Sequence, residues 1–546
     1  MTERPERQST GLLEMMRAHR GVAMRLFITC WLVYSLHFAT NMVRENYLAL
    51  AIGDHFSFRV DEYANMHDDI FELPGYGWHI GSNPGASMLG AIPYALSRPV
   101  VDRTVATVQR NRAESGASEP PLYDAPTDTD RQLYEEAWRR GFDVKFGLAS
   151  FVMQSFVMVP VTALGVVLLF LLLVGWLGTP RSALWLALLY AFGTPVFLRS
   201  GFLNHNMMMA TAGLVGLAAL WSPGRPGESP PGRATVNRRL FVAGLAGGAA
   251  VLLDYSGVIL LVGLWLYGLF KYADRSDLNG IGRVTLAVFV GFIGPLVLLW
   301  LYQWRSFGHA FYPPQHWMPS VPHIEEGYQG VGWPRLELAR MLAFDYRFGL
   351  FVSCPLFLLA LAAPLVNGRL ESRGKGPGLP RPVLLTCLGL SLAFFLFFSG
   401  VQYTRWQFNT GVRYLAPIFP FLFLLAVVVL RRLPALATRI VAILSVALAW
   451  ALAMARDVSG GKVGLGDPDA GLGVLDPVLS VFIDGFQLPA LTTLSRMEGY
   501  GILGSGTVSP LALFALTAAI LWGVWTWPTR TPPPPVRPYT DPRRGS

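Results

Sequence analysis

The chain has 546 residues, 52% of them hydrophobic and only 14% charged, with a mean hydropathy of +0.41. Soluble domains carry about 25% charged residues, so a chain this long and this poor in charge cannot cover a soluble surface, and it reads as a polytopic membrane protein. The net charge of +9 would suit a nucleic-acid binder, but the basic residues are dispersed among short connectors, which argues against that partner.

Residues 1–20 form a polar, basic tail with Arg4, Arg7, Arg17 and Arg20. Residues 21–41 are long enough to span a bilayer. They lack an A-x-A-like cleavage site, so a retained first helix is expected rather than a removed signal. The stretch from Arg44 to Leu96 follows. It carries Glu45, Asp54, Asp61, Glu62, Asp68, Asp69 and Glu72, three histidines and a Gly/Pro-rich turn. Within it, the apolar piece 85–97 is below spanning length and is expected as a juxtamembrane helix or re-entrant turn. If it spanned instead, the topology would invert downstream. The polar run 98–140 extends the same loop, which occupies 42–143 as a whole.

Further spans are expected near 144–176, 182–198, 205–221, 240–254, 256–271, 283–304, 346–365, 383–400, 413–430, 438–455 and 509–527, about twelve with the first. Between 144 and 455 they form a helix bundle. Placing the N-terminus in the cytoplasm and alternating puts Arg181, Arg233, Arg238, Arg239, Lys271, Arg283, Arg381, Arg431, Arg432 and Arg439 on cytoplasmic connectors, as the positive-inside rule requires. The opposite face receives the acidic loop 42–143, the aromatic loop 305–345, the segment 401–412 and the Gly-rich loop 456–508. The Pro-rich tail 528–546 reads as extended and disordered. Cys30, Cys354 and Cys387 lie in apolar spans without metal spacing and read as apolar fillers.

Chemistry is expected on the face opposite the cytoplasm. No GxxxxGK[ST] and no GxGxxG after a strand occurs, so no nucleotide site is indicated. An enzyme there needs a substrate delivered in the membrane, and a lipid-linked donor meets that need. A carboxylate would take the acceptor's proton. Cationic groups would hold the departing phosphate. The candidate carboxylates are Glu45, Asp61, Asp68 and Asp69; Asp54 and Glu72 read as solvated or capping residues. The candidate cations are Arg199, Arg305, Arg347, Arg405 and Arg413, the last opening an apolar helix beside Tyr414. Each also fits an interfacial anchor. Asp68 and Asp69 with His67 have ligand types suited to a divalent cation, Mg²⁺ or Mn²⁺, though the spacing is not diagnostic. Asp254 stands between two apolar stretches, where an acid is costly, and reads best as the turn joining two spans. His309, Tyr312, His316 and Trp317 suit either sugar contact or an interfacial belt.

Several segments, in order, are FSFRVDEY with HDD, GYGWHIGSNPGASMLGAIPYAL, FGTPVFLRSGFLNHNMMMATAGL, LLDYSGVILL, SFGHAFYPPQ, YRFGLFVSCPLFLLAL and FNTGVRYLAPIFPFLFLL. Together they resemble the GT-C class of integral membrane glycosyltransferases, in particular the bacterial protein mannosyltransferase and aminoarabinose transferase families. The resemblance implies an all-α GT-C fold in a bacterial cytoplasmic membrane with its site facing the periplasm or exterior. It implies a polyprenyl-phosphate-linked sugar as donor, a lipid, glycan or protein as acceptor, inverting transfer, and a first-loop carboxylate as base. It adds His205 and Asn83 to the donor-binding candidates Arg347, Arg405, Arg413 and Tyr414. Two positions depart from the pattern: Glu45 stands where many members have Asp, and Asn83 where relatives often have a phosphate-holding Lys. The alternatives are a transporter or flippase of lipid-linked saccharides, and an inactive scaffold of the same fold.

Overall fold

A computed structural model describes residues 12–38, 43–67, 69–116, 120, 128–221, 231–273, 278–319, 325–371, 378–405, 412–454, 472–483 and 510–527. The architecture is helical, with one two-stranded hairpin. Each of the twelve expected spans overlaps a helix. The agreement is closest for 205–221, which is the helix His205–Trp221. By length and composition, five helices among the described residues can cross a membrane: Phe142–Leu177, Arg233–Leu253, Leu278–Phe307, Arg381–Ser399 and Ala435–Met454. Shorter apolar helices are Gly257–Tyr272, Pro355–Gly368, Ala416–Leu430 and Leu511–Thr526. The tail 528–546, most of the loop 456–508 and residue Asp68 lie outside the described residues.

The spanning helices pack by close approach of small residues, since burial of apolar surface gives no net gain against lipid. Helices Arg233–Leu253 and Leu278–Phe307 show it from both sides. A Cβ on Gly244 would overlap the Val288 carbonyl, and one on Gly291 the Phe241 carbonyl. All three cysteines are buried, free and packed among apolar side chains, as expected.

The first loop is far more structured than a polar extension. Helix Arg44–His55 leads it. The hairpin pairs Ile70–Leu73 with Gly77–Ile80, Phe71 opposite His79. Its turn follows from Pro74-Gly75: proline presets the first central residue and Gly75 takes φ +82°, closed by Tyr76 N–H donating to the Leu73 carbonyl at 2.9 Å. The piece 85–97 is only the beginning of a 30-residue helix, Gly85–Glu114, which continues through Pro93 and Pro99. Helix Asp128–Arg139 follows. The polar run 98–140 was expected as loop because its composition is hydrophilic, yet Val101, Val108 and Arg112 fall on one buried face at helical spacing.

Among the contacts that fix this loop against the bundle are a hydrogen bond and a ring cluster. Asn46 donates through Nδ2 to Ser150 Oγ on the Phe142–Leu177 helix, at 3.1 Å. The hairpin stacks Phe71 on Phe307, the last residue of Leu278–Phe307, at 6.3 Å between ring centroids, with the His79 ring tilted against it at 5.1 Å. The first loop and the aromatic loop therefore share one end of the bundle.

Candidate active site

Five segments distant in sequence bring charge together beside the start of the Arg44–His55 helix. Val43 is extended and ends the incoming chain, so Glu45 falls in the first helical turn, where the helix dipole favours an acid. Ser87 Oγ donates to the Glu45 carbonyl at 2.8 Å and pins that turn to the Gly85–Glu114 helix. Glu45 is buried, 4% exposed as a residue. Its Oε1 lies 2.6 Å from His205 Nδ1 and 3.9 Å from Arg44 Nε. Burial would raise the Glu45 carboxyl, but the His205 hydrogen bond and the charges of His205 and Arg44 outweigh it and hold it at about 2.

His205 is aimed by its own helix start. Asn204 caps that helix, its Oδ1 accepting from Met207 N–H at 2.9 Å, while its Nδ2 donates back to the Arg199 carbonyl at 2.6 Å. The far imidazole nitrogen, Nε2, looks toward Asp254 Oδ2 at 3.9 Å. Asp254 occupies the break between helices Arg233–Leu253 and Gly257–Tyr272 in extended conformation, as its reading as a turn required. It does more than turn the chain. Its Oδ1 accepts from the Ser256 N–H at 2.9 Å and from the Ser256 hydroxyl, which leaves Oδ2 facing the imidazole.

Arg44 bridges the acids, donating through Nη1 to Asp69 Oδ2 at 2.7 Å. Burial acts to raise the Asp69 carboxyl, and Arg44, His67 and Arg413 together bring it below the ordinary carboxylate range. Arg413 donates to the Tyr414 hydroxyl at 2.8 Å and lies over that ring. Tyr414 packs in turn on Phe398 and Tyr403.

Of the residues singled out from the sequence, Glu45, Asp69, His205, Arg413 and Tyr414 are thus brought together. Asn83 sits nearby but holds the fold: its Nδ2 donates to the Val251 carbonyl at 2.7 Å, and its Oδ1 is buried without a hydrogen bond among the described residues. Arg347 is engaged by Asp345 in a two-pronged pair at 2.9 Å. Arg405 meets Glu337 at 3.5 Å on an exposed surface. Asp61 pairs with Arg59 at 2.8 Å and accepts from Trp78 N–H, in an open cleft of about 340 Å³ that also includes His55 and Glu62. Asp68 lies outside the described residues. Asp54, expected as solvated or capping, is instead buried, with Lys145 at 2.7 Å, Arg98 at 3.2 Å and the Tyr94 hydroxyl at 2.8 Å.

Among the described residues, both candidate metal groupings already engage other partners. Asp69 is held by Arg44, and His67 Nδ1 already accepts from Asp69 N–H at 2.9 Å. Asp54, His55 and Glu62 can bring one donor atom each within 4.8 Å of one another, but Lys145 Nζ stands there, 2.7 Å from Asp54 and 3.7 Å from Glu62.

Arg44 and Asp254 were not assigned chemistry from the sequence. The signal for Asp254 was an acid within apolar sequence, a cost usually kept for function. For Arg44 it was the Arg-Glu pair at the foot of an apolar helix, which gains meaning only once Asp69 folds back upon it.

No family model and no curated protein matches the chain. Among solved structures it is similar to ArnT from Cupriavidus metallidurans in the apo state, 16% identical over 93% of this chain and 76% of that one, with a TM-score of 0.46. It is similar to ArnT from the same organism bound to undecaprenyl phosphate, at 15% identity, 92% and 75% coverage and a TM-score of 0.44. A third likeness is to the oligosaccharyltransferase of Archaeoglobus fulgidus in the apo form, 12% identical over 88% of this chain and 56% of that one, with a TM-score of 0.42.

Proposed function

We propose that this protein is a membrane glycosyltransferase of the GT-C class. It moves a sugar from a polyprenyl-phosphate donor to an acceptor hydroxyl or amine at the outer face of a bacterial cytoplasmic membrane. The observation that carries the reading is the Glu45–His205 contact. A buried, ionised carboxylate of the opening loop meets, 160 residues further along the chain, an imidazole at the head of an apolar helix. Buried charge costs several kcal/mol per ion unless it is paired, and such clusters are typical of sites where protons move.

The division of labour follows from the chemistry. Inverting transfer is a single displacement: the acceptor attacks the anomeric carbon as the bond to phosphate breaks. It requires proton removal at the nucleophile and charge neutralisation at the leaving group. Glu45 is the first-loop carboxylate that serves proton removal. Arg413, with the Tyr414 hydroxyl beside it, neutralises the departing polyprenyl phosphate, and Arg44 ties Asp69 into the same field. Asn83 brings no charge; its amide oxygen suits a sugar hydroxyl better than a phosphate. Asp61, Arg347 and Arg405 lie apart from the cluster and take no step in this scheme.

The test is reconstitution in liposomes with a panel of polyprenyl-phosphate sugars, scoring transfer or donor hydrolysis, with and without chelator. One donor is expected to be consumed. Movement of labelled lipid-linked sugar across the bilayer without donor turnover would replace this reading with a flippase. Loss of turnover with chelator, restored by Mg²⁺ or Mn²⁺, would bring a divalent cation into the scheme.

A further inference from the structure

We infer that the atom receiving the acceptor's proton is His205 Nε2, with Glu45 as the residue that positions the imidazole and Asp254 as the carboxylate flanking the acceptor. The inference rests on the transferase reading above and assigns its base.

Glu45 itself is poorly placed to touch an acceptor. Its side chain is 5% exposed, and Oε1 is occupied by the imidazole and approached by Arg44. A carboxylate held this way orients its partner. Because Glu45 accepts at Nδ1, that nitrogen carries the hydrogen, and the lone pair of the neutral imidazole is left on Nε2. Nε2 points at Asp254 Oδ2 across 3.9 Å, too long for a hydrogen bond. The gap opens on the Asp254 side, whose side chain is 27% exposed against 11% for His205. An acceptor hydroxyl entering beside Asp254 can direct its hydrogen to Nε2.

The surroundings suit a proton that arrives and leaves. His205 is the first residue of its helix and becomes an imidazolium when it takes the proton. Glu45 and Asp254 on either side stabilise that cation once it forms. The same two carboxylates repel a phosphate, so His205 suits the proton and leaves the phosphate to Arg413. The charged groups facing the imidazole are Glu45 and Arg44 from the Arg44–His55 helix and Asp254 from the helix break. In the step, the acceptor O–H bond breaks and its proton passes to Nε2. The oxygen's electron pair forms the bond to the anomeric carbon. The pair of the breaking carbon–oxygen bond leaves on polyprenyl phosphate.

The experiment uses the full-length protein in liposomes and whichever panel donor the wild type consumes. His205→Ala is expected to lose 10²–10⁴-fold in kcat, the usual worth of a general base, and to regain at least about tenfold with added imidazole acting as the missing base. His205→Gln is expected to lose the acid limb of the kcat/KM–pH profile. Both variants are expected to bind polyprenyl phosphate as wild type does, which also reports a folded site. Turnover by His205→Ala within threefold of wild type overturns the assignment while leaving the transferase reading intact. So does an acid limb that persists in His205→Gln, failure of imidazole to restore any rate, or a loss of polyprenyl phosphate binding, which would place the imidazole on the phosphate. If wild type consumes no donor, the transferase reading fails and this assignment falls with it.

Discussion

The two ends of the Arg44–His55 helix each bury a carboxylate among cations, and they do so differently. Glu45 at the first turn is 4% exposed and Asp54 near the last is 8% exposed. The two lie about 14 Å apart along the helix axis at 1.5 Å per residue. Asp54 is saturated: Lys145, Arg98 and the Tyr94 hydroxyl all reach it, two of them from the neighbouring Gly85–Glu114 helix. Glu45 shares a cluster in which Glu45, Asp69 and Asp254 stand among Arg44, His205 and Arg413, drawn from separate parts of the chain. Burial alone does not distinguish site from scaffold. The difference lies in whether the charges close on themselves or leave a titratable group facing open space.

The sharpest way to break that comparison is to neutralise each carboxylate in place. Glu45→Gln is expected to lower donor turnover by 10²–10⁴-fold, measured in liposomes, and also to lose the stabilisation its buried pair supplies. Asp54→Asn is expected to lose stability alone. Removing one partner of a buried pair costs about 3 kcal/mol, read from denaturant or thermal unfolding, while the protein that remains folded keeps its turnover. If Asp54→Asn instead abolishes turnover at unchanged stability, the two ends have been assigned the wrong way round.

A smaller effect separates the arginines. Arg413→Lys keeps a charge but loses the planar fork that engages phosphate oxygens in pairs. The donor KM is expected to rise about tenfold, the loss of one charge-assisted hydrogen bond. Arg347→Lys, whose fork is spent on Asp345, is expected to leave the donor KM unchanged. Equal effects from both would put Arg347 on the donor.

Acid titration sharpens the Glu45 end again. The folded carboxyl sits at about 2, below its ordinary value of 4.5. A depressed folded value means the stabilisation is fully present above about pH 4.5 and is lost as pH falls toward 2. The difference in unfolding midpoint between wild type and Glu45→Gln should therefore be constant at neutral pH and change only across that window. A change centred outside that window would trace to another group instead.

How much of this was legible follows from what kind of contact each feature is. The apolar runs are local, so the twelve expected spans all meet helices, whereas the short hairpin turning at Pro74-Gly75 was not anticipated. The Gly85–Glu114 helix is legible only as far as 97, because its apolar run ends there and a hydrophilic composition follows. The spacing of Val101, Val105, Val108 and Arg112 carried the missing signal. The site is legible by residue type alone. Glu45, Asp69, His205 and Arg413 were all candidates, but so were Asp61 and Arg405. Pairing across 160 residues is a tertiary fact with no period in the chain. Asp254 shows the limit most clearly: its place at a turn was readable and correct, and only the approach of His205 gives it chemistry.

Asp61 supplies the smallest expected effect. As a first-loop acid beside an alternating apolar run it had as much claim as Asp69 on sequence grounds. In the fold it faces the cleft at the far end of the helix, half open to solvent, with Arg59 as its ion-pair partner. Exposed pairs are worth about 0.2–1 kcal/mol. The Trp78 N–H it accepts from is outside the hairpin's own pairing, and Asn at this position retains an oxygen to accept it. Asp61→Asn is therefore expected to change turnover less than about twofold and stability by less than about 1 kcal/mol. A loss of a hundredfold or more at unchanged stability would move the base to the other end of the helix. The Glu45–His205 pair would then be the scaffold, and the reading of closed against open charge clusters would be reversed.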